Sequence, residues 1–306
     1  MTDLTATRTL VTGGKGFIGS RVCELLHEAG AQATAVGRAE ADLTDAAATE
    51  GLFEKTSPQL VIHLAGEGGG IVAHRQNPGR HLYANATMSL NVVEACRKFE
   101  VERLVTVASA DAYAPDAPMP LEESDLLAGT PVPEVAGYAT ASRLLVSLLD
   151  GYHRQYGLSA ALLVLTNVYG PGMSDDPERS FVVPAMVRRF RTALEAGDRS
   201  VVCWGSGQAT RDFLFLDDAA RAIVEAARCI NDPSPINIGS GRETSIEELA
   251  HSLAALTGYT GAVEWDTSRP EGARRRVLNV TRAQELLGFQ AKVGLEEGLK
   301  ATLAEV

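Results

Sequence analysis

The chain has 306 residues, of which 45% are hydrophobic and 22% charged, enough to bury a full core in one large or two modest domains. With 28 Lys and Arg against 39 Asp and Glu the formal charge is −11, which argues against broad binding to nucleic acid or an anionic membrane but allows a local basic pocket for a phosphorylated ligand. Cys23, Cys96, Cys203 and Cys229 show no CxxC spacing, and the first residues are too polar and too soon broken by glycine for a signal peptide. A cytoplasmic protein with free thiols, no metal and no membrane span is expected.

In chain order, residues 7–12 read as a strand and Phe17–Ala29 as a helix that stops near Gly30. Residues 33–37 form a second strand, followed by a helix over Ala46–Lys55. A third strand lies in 59–66 and precedes a long helix over Arg80–Lys98. A fourth strand covers 103–109, and the helix Tyr138–Tyr156 then leads to a fifth over 159–166. Continuous apolar strands that alternate with helices predict an α/β fold: a doubly wound parallel sheet of the Rossmann type, covered on both faces. The proline-rich stretch Pro115–Pro133 is a long loop, and loops of that length usually carry function. After Gly170-Pro171-Gly172 the elements shorten, with strands at 200–204, 235–239 and 262–265. This predicts a cofactor domain over 1–170 and a smaller α/β substrate domain over 171–306, with the chain free to cross back.

The stretch TGGKGFIGS sets Gly13, Gly16 and Gly19 between the first strand and the first helix. Glycines there permit a tight turn and bring a diphosphate close to helix N–H groups, the arrangement that binds a dinucleotide. The second strand ends in Val36-Gly37-Arg38, a cation where an acidic residue would hold the ribose of NAD. Together with Lys15 it favours NADP over NAD; the alternative makes Arg38 a solvated residue and gives the ribose to Glu40. Asp42 is a candidate partner for the adenine amino group.

HLAG at 63–66, GGIVA at 69–73, HRQYG at 153–157, TNVYGPG at 166–172, VPAMVRRF at 183–190, WGSG at 204–207 with RDF at 211–213, and RPEG at 269–272 carry a resemblance. On these motifs the chain resembles the extended short-chain dehydrogenases/reductases of the nucleotide-sugar type (the NAD-dependent epimerase/dehydratase family), and within it the GDP-L-fucose synthase branch. The resemblance implies catalytic roles for Ser109 and Tyr138. It implies further cofactor contacts from Phe17, Ile18, Leu43, Leu64, Ala65, Gly66, Val107, Tyr138, Leu165, Asn167 and Val168. It also implies a site for a nucleoside-diphosphate sugar, GDP-linked, built from Ser109, Asn167, Arg189, Trp204, Arg211 and Glu271. A homodimer through the two long helices is implied as well. Guanidinium forks and an indole suit phosphates and a sugar or base face.

Three family positions differ. Ser142 replaces the lysine one helical turn beyond Tyr138, Asp111 replaces the cysteine used in epimerisation, and Phe181 replaces its histidine partner. Without the lysine's charge a tyrosine keeps its proton up to about pH 10, so Tyr138 can still give a proton to a ketone but is a poor base for oxidising an alcohol. Ser142 can reach a ribose hydroxyl; Arg143 restores charge but not proton relay. Asp111 is a candidate base next to a keto group, or else a turn-capping residue. The reading is an NADP(H)-dependent reductase/epimerase of 4-keto nucleotide sugars with an altered site. The alternatives are an epimerase or dehydratase that retains its cofactor, or a degenerate nucleotide binder.

Overall fold

The computed structural model describes residues 3–174, 176, 180–269 and 272–304. Its first part runs β1 (Arg8–Thr12), α1 (Phe17–Glu28), β2 (Gln32–Val36), α2 (Ala46–Thr56), β3 (Leu60–His63), α3 (Ile71–Gln76), α4 (Pro78–Lys98), β4 (Arg103–Ser109), α5 (Ala136–Tyr156) and β5 (Ala160–Leu165). It continues through β6 (Asn167–Tyr169), α6 (Val182–Ala196), β7 (Ser200–Trp204), β8 (Thr210–Arg211), β9 (Phe213–Phe215), α7 (Leu216–Cys229) and β10 (Ile236–Ile238). The last elements are β11 (Thr244–Ser245), α8 (Ile246–Thr257), β12 (Ala262–Asp266), α9 (Thr281–Leu287) and α10 (Leu295–Ala304). No helix among the described residues is long and apolar enough to cross a membrane.

Among the described residues the large sheet has the order β2-β1-β3-β4-β5-β10, and every neighbouring pair is parallel. Because side chains alternate along a strand, successive apolar residues go to opposite faces. Leu10, Val61, Leu104 and Leu162 pack with Phe53 of α2, Val92 of α4 and Leu145 of α5. Their next neighbours Val11, Ile62, Val105 and Leu163 pack on the other face with Val22 of α1, Ile223 of α7 and Ala283 of α9. This is why the strands read as unbroken apolar runs, and it is the doubly wound arrangement expected. The strand order reverses between β1 and β3, so the loops after those strands part and open a crevice at their C-terminal ends, where such sheets bind ligands.

A third core joins Val187 and Phe190 of α6, Val201 of β7, Phe213 of β9, Leu249 and Leu253 of α8 and Leu299 of α10. The small pairings are β6 with β9 and β7 with β12, both parallel, and β8 with β11, antiparallel. A capping box at Ser245 and Glu248 starts α8. Helix α7 and strand β10 follow α6 in sequence yet belong to the large sheet's layers.

The long loop is more ordered than its proline content suggests. Short 3-10 turns occupy Glu123–Asp125 and Pro133–Val135, and Leu121 and Leu126 are each 1% exposed. The Asn237 side chain donates to the Leu121 carbonyl at 2.9 Å. On the other side Arg143 donates to the carbonyls of Ala112, Ala128 and Gly129 at 2.7, 2.8 and 2.8 Å. Helix α3 was not anticipated; its six residues are too few to show a helical period in sequence.

Asp212 ties these layers together. Its fully buried carboxylate accepts from the Ser240 hydroxyl at 2.6 Å, the Ser240 amide at 2.8 Å and the Gly241 amide at 3.1 Å, just beyond β10. Its carbonyl accepts from Thr166 and Asn167 at 2.9 and 3.0 Å, between β5 and β6. Asp212→Ala leaves the Ser240 hydroxyl and the Ser240 and Gly241 amides unpaired and should lower stability by on the order of 1–3 kcal/mol or more, measured as the shift in urea midpoint at unchanged slope.

Candidate active site

The first cavity, about 470 Å³, lies in the crevice at the strand reversal. Gly13 has φ +70°, and a Cβ there would lie 2.6 Å from the Ala65 amide nitrogen, so only glycine lets the loops after β1 and β3 close on each other. The Gly16 amide donates back to the Gly13 carbonyl at 2.9 Å, and α1 begins at Phe17, its N-terminal amides at the cavity. This cradle fits a dinucleotide diphosphate. Of the expected cofactor residues, Gly13, Lys15, Gly16, Phe17, Ile18, Gly19, Arg38, Asp42, Leu43, Leu64, Ala65, Gly66 and Val107 line it. Leu165, Val168, Asn167 and Tyr138 are not in its wall: Leu165 and Val168 pack into the large-sheet core, and Asn167 lines the second cavity.

Charges at the mouth of this cleft are sorted by pairing. Lys15 Nζ lies 2.5 Å from Glu40 Oε1, and Glu40 Oε2 accepts from the Gly37 amide at 2.9 Å. The lysine and that amide hold the Glu40 carboxyl below its ordinary range. Glu40 is absent from the cavity wall, whereas Arg38 lines it, 3.9 Å from Glu67. Asp42 accepts from the Thr44 hydroxyl and amide at 2.7 and 3.0 Å, which keeps its carboxyl low.

Ser109 ends β4. Its hydroxyl accepts from the Asp111 amide at 3.1 Å, leaving its own proton to give. The Ser109 amide donates to Ser142 Oγ at 3.3 Å, and Ser142 is 7% exposed, so this hydroxyl serves the backbone of β4 and does not line the cofactor cleft. Arg143 spends its fork on the loop carbonyls described above. Tyr138 lies against Gly68, whose Cβ would stand 3.6 Å from its ring, and its ring centroid is 5.0 Å from that of His74. Burial, with the Asp111 carboxylate beside it, pushes the Tyr138 phenol up to about 12.

The second cavity, about 450 Å³, is lined by Asn167, Phe181, Arg188, Arg189, Trp204, Arg211, Asp111, His74 and Arg276 among others. Trp204, 38% exposed, has the Arg189 guanidinium 4.9 Å and the Arg269 guanidinium 5.3 Å from its ring centroid. Arg211 donates to the carbonyls of Thr210 and Ala273 at 2.7 and 2.6 Å. Asp111 is ion-paired with Arg276, which is 9% exposed. Glu271 lies outside the described residues. Residues 64–67 border the first cavity and 69–74 the second, so one segment after β3 joins the two.

Sequence reasoning missed Arg276, His74 and His81. Arg276 stands in the run Arg274-Arg275-Arg276, where nothing local tells which cation turns inward; Arg275 pairs outward with Glu243. His74 follows the GGIVA motif directly, and its Nδ1 lies 2.9 Å from that of His81.

The NAD dependent epimerase/dehydratase family matches residues 9–239. The putative GDP-L-fucose synthase 2 of Oryza sativa subsp. japonica is 36% identical over 297 residues, covering 96% of this chain and 85% of that one. The GDP-L-fucose synthase of Escherichia coli (strain K12) is 34% identical over 305 residues, covering 96% and 95%. Among solved structures, a GDP-L-fucose synthetase from Naegleria fowleri bound to NADP is similar with a TM-score of 0.89 at 26% identity, covering 100% of this chain and 94% of that one.

A phenol titrating at about 12 rather than near its usual ~10 has a direct signature. Between about pH 10 and 11 Tyr138 should add little tyrosinate absorbance, so the ultraviolet difference titrations of wild type and Tyr138→Phe should part mainly above that range. Asp111→Asn removes a charge that disfavours the phenolate and should bring the Tyr138 component down into that range.

Proposed function

The chain belongs to the NAD dependent epimerase/dehydratase family, and from that premise we propose that it is an NADP(H)-dependent reductase of 4-keto nucleotide sugars, GDP-linked ones first. The observation that carries this reading is the contact of Tyr138 with the glycine segment shared by the two cavities. A sugar held in the second cavity can then meet a nicotinamide held in the first at Tyr138 and Ser109. The similar proteins named as GDP-L-fucose synthases and the NADP-bound relative support the nucleotide and the cofactor.

Bound NADPH supplies the hydride. The chain's own part is to bind and to move protons. Arg188, Arg189 and Arg211 at the cavity wall suit the diphosphate, with Trp204 beside them for the base or sugar face. Ser109 gives its free hydroxyl proton as a hydrogen bond to the ketone oxygen, and Tyr138 donates the proton that turns that oxygen into an alcohol. A phenol raised to about 12 holds its proton before the reaction and does not act as a base near neutral pH. Reduction is therefore favoured over alcohol oxidation. Arg38, in the wall of the first cavity, supports NADP over NAD, while Glu40 is occupied by Lys15 and the Gly37 amide.

The test is single-turnover oxidation of NADPH and of NADH with GDP-4-keto-6-deoxy-mannose as the probe. NADPH should bind more tightly, and Arg38→Ala should weaken it selectively by about 1–3 kcal/mol. Tyr138→Phe should slow reduction by about a hundredfold or more. Ser142→Lys should speed oxidation of the alcohol more than reduction of the ketone. Tighter binding of NADH sinks the cofactor reading, and a Tyr138→Phe variant as fast as wild type removes Tyr138 as the acid.

We also propose a homodimer through α4 and α5, which pack side by side and expose Leu82, Tyr83, Leu90 and Tyr156. Light scattering at micromolar concentration should give twice the 32.4 kDa chain mass, and a monomer mass rules this contact out.

A further inference from the structure

Beside the hydride, reduction needs one proton, from an acid at the ketone oxygen, yet the cavity wall carries a second proton-transfer group. His74 lines the second cavity from α3 and is 3% exposed. Its Nδ1 stands 2.9 Å from Nδ1 of His81 on α4, with the rings edge-on at 4.6 Å. Between two ring nitrogens at that distance one donates and the other accepts. When His74 Nδ1 is the donor, its Nε2 keeps a lone pair. Burial and then His81 lower the proton affinity of His74, against the pull of Asp111 and of the Gly69 backbone carbonyl.

The other groups in that wall are poor candidates for the same work. Asp111 is claimed by the buried Arg276 guanidinium, and Phe181 carries no exchangeable proton. His74 is also the group whose ring packs on Tyr138, so a base there is next to the acid.

We propose that His74, paired with His81 and donating from Nδ1, is the base that removes a proton from the carbon next to the keto group of the bound sugar. The inference rests on the reading of this cavity as a 4-keto nucleotide-sugar site. In the step the C–H bond breaks and its proton goes to His74 Nε2. The electron pair forms the enolate carbon–carbon double bond, and the ketone oxygen takes the negative charge beside the Tyr138 and Ser109 hydroxyls. Return of a proton from the same nitrogen restores the ketone, so exchange with solvent needs no acid on the opposite face.

The experiment is incubation with GDP-4-keto-6-deoxy-mannose in D2O without NADPH, reading deuterium at the carbons flanking the ketone by mass and NMR, beside single-turnover reduction and NADPH binding for each variant. Wild type should incorporate deuterium. His74→Gln should bind NADPH normally, which shows that it is folded, and lose exchange by about a hundredfold or more. Exchange that survives in His74→Gln but disappears in Asp111→Asn overturns the proposal in favour of Asp111. A wild type that reduces the probe without exchange overturns it too, and leaves the reductase reading standing. Neither exchange nor reduction of the probe overturns both.

Discussion

A guanidinium buried in the wall of the second cavity constrains everything around it. Arg276 is 9% exposed, and a charge so far from water needs a partner. Asp111 supplies it from just beyond β4, 165 residues away in sequence. The Arg276 backbone is fixed at the same time, its carbonyl accepting from the Asp212 amide at 3.0 Å and its amide donating to the Thr210 carbonyl at 3.2 Å. The pair therefore joins the end of the large sheet to the small strands around β8. Moving Asp111 into proton transfer would strand a buried cation, so Asp111 is suited to a structural tie more than to a base.

The position after Ser142 shows the same economy. Arg143 brings a cation to the neighbourhood of Tyr138, but all of its hydrogen bonds go to carbonyls of residues 112–129, and burial lowers its pKa. The Arg143 charge is spent on holding the proline-rich loop. With no cation given over to the phenol, desolvation and Asp111 decide its pKa, and both raise it. The Tyr138 phenol therefore keeps its proton well above neutral pH.

Much of the fold was legible because its causes are local or periodic. Unbroken apolar runs such as Leu104-Val105 announce a strand covered on both faces, and Gly13 announces a close approach of backbones whatever the partner is. What stayed hidden depends on which distant residue arrives. Lys15 and Arg38 look alike as candidates for a phosphate, yet Lys15 meets Glu40 at 2.5 Å while Arg38 is held only loosely, 3.9 Å from Glu67. Arg274-Arg275-Arg276 reads as a solvated run, and only the path of the chain turns one of the three inward. His74 and His81 lie seven residues apart on two different helices, a spacing with no meaning until the turn at Asn77 folds them together.

The segment after β3 couples the two halves of the site. Asn85 on α4 grips it from both sides, accepting from the Glu67 amide and donating to the Glu67 carbonyl, each at 2.8 Å. The Glu67 carboxylate in turn holds Arg80 at 3.0 Å and faces Arg38 at the cofactor cleft. One residue further on, Gly68 lies beside the Tyr138 ring, and Gly70 opens the helix that carries His74. A change at Asn85 would therefore reach Arg38, Tyr138 and His74 together. The walls of both cavities thus hang on one short stretch of glycine-rich backbone, which has few side chains of its own and depends on α4 for its shape.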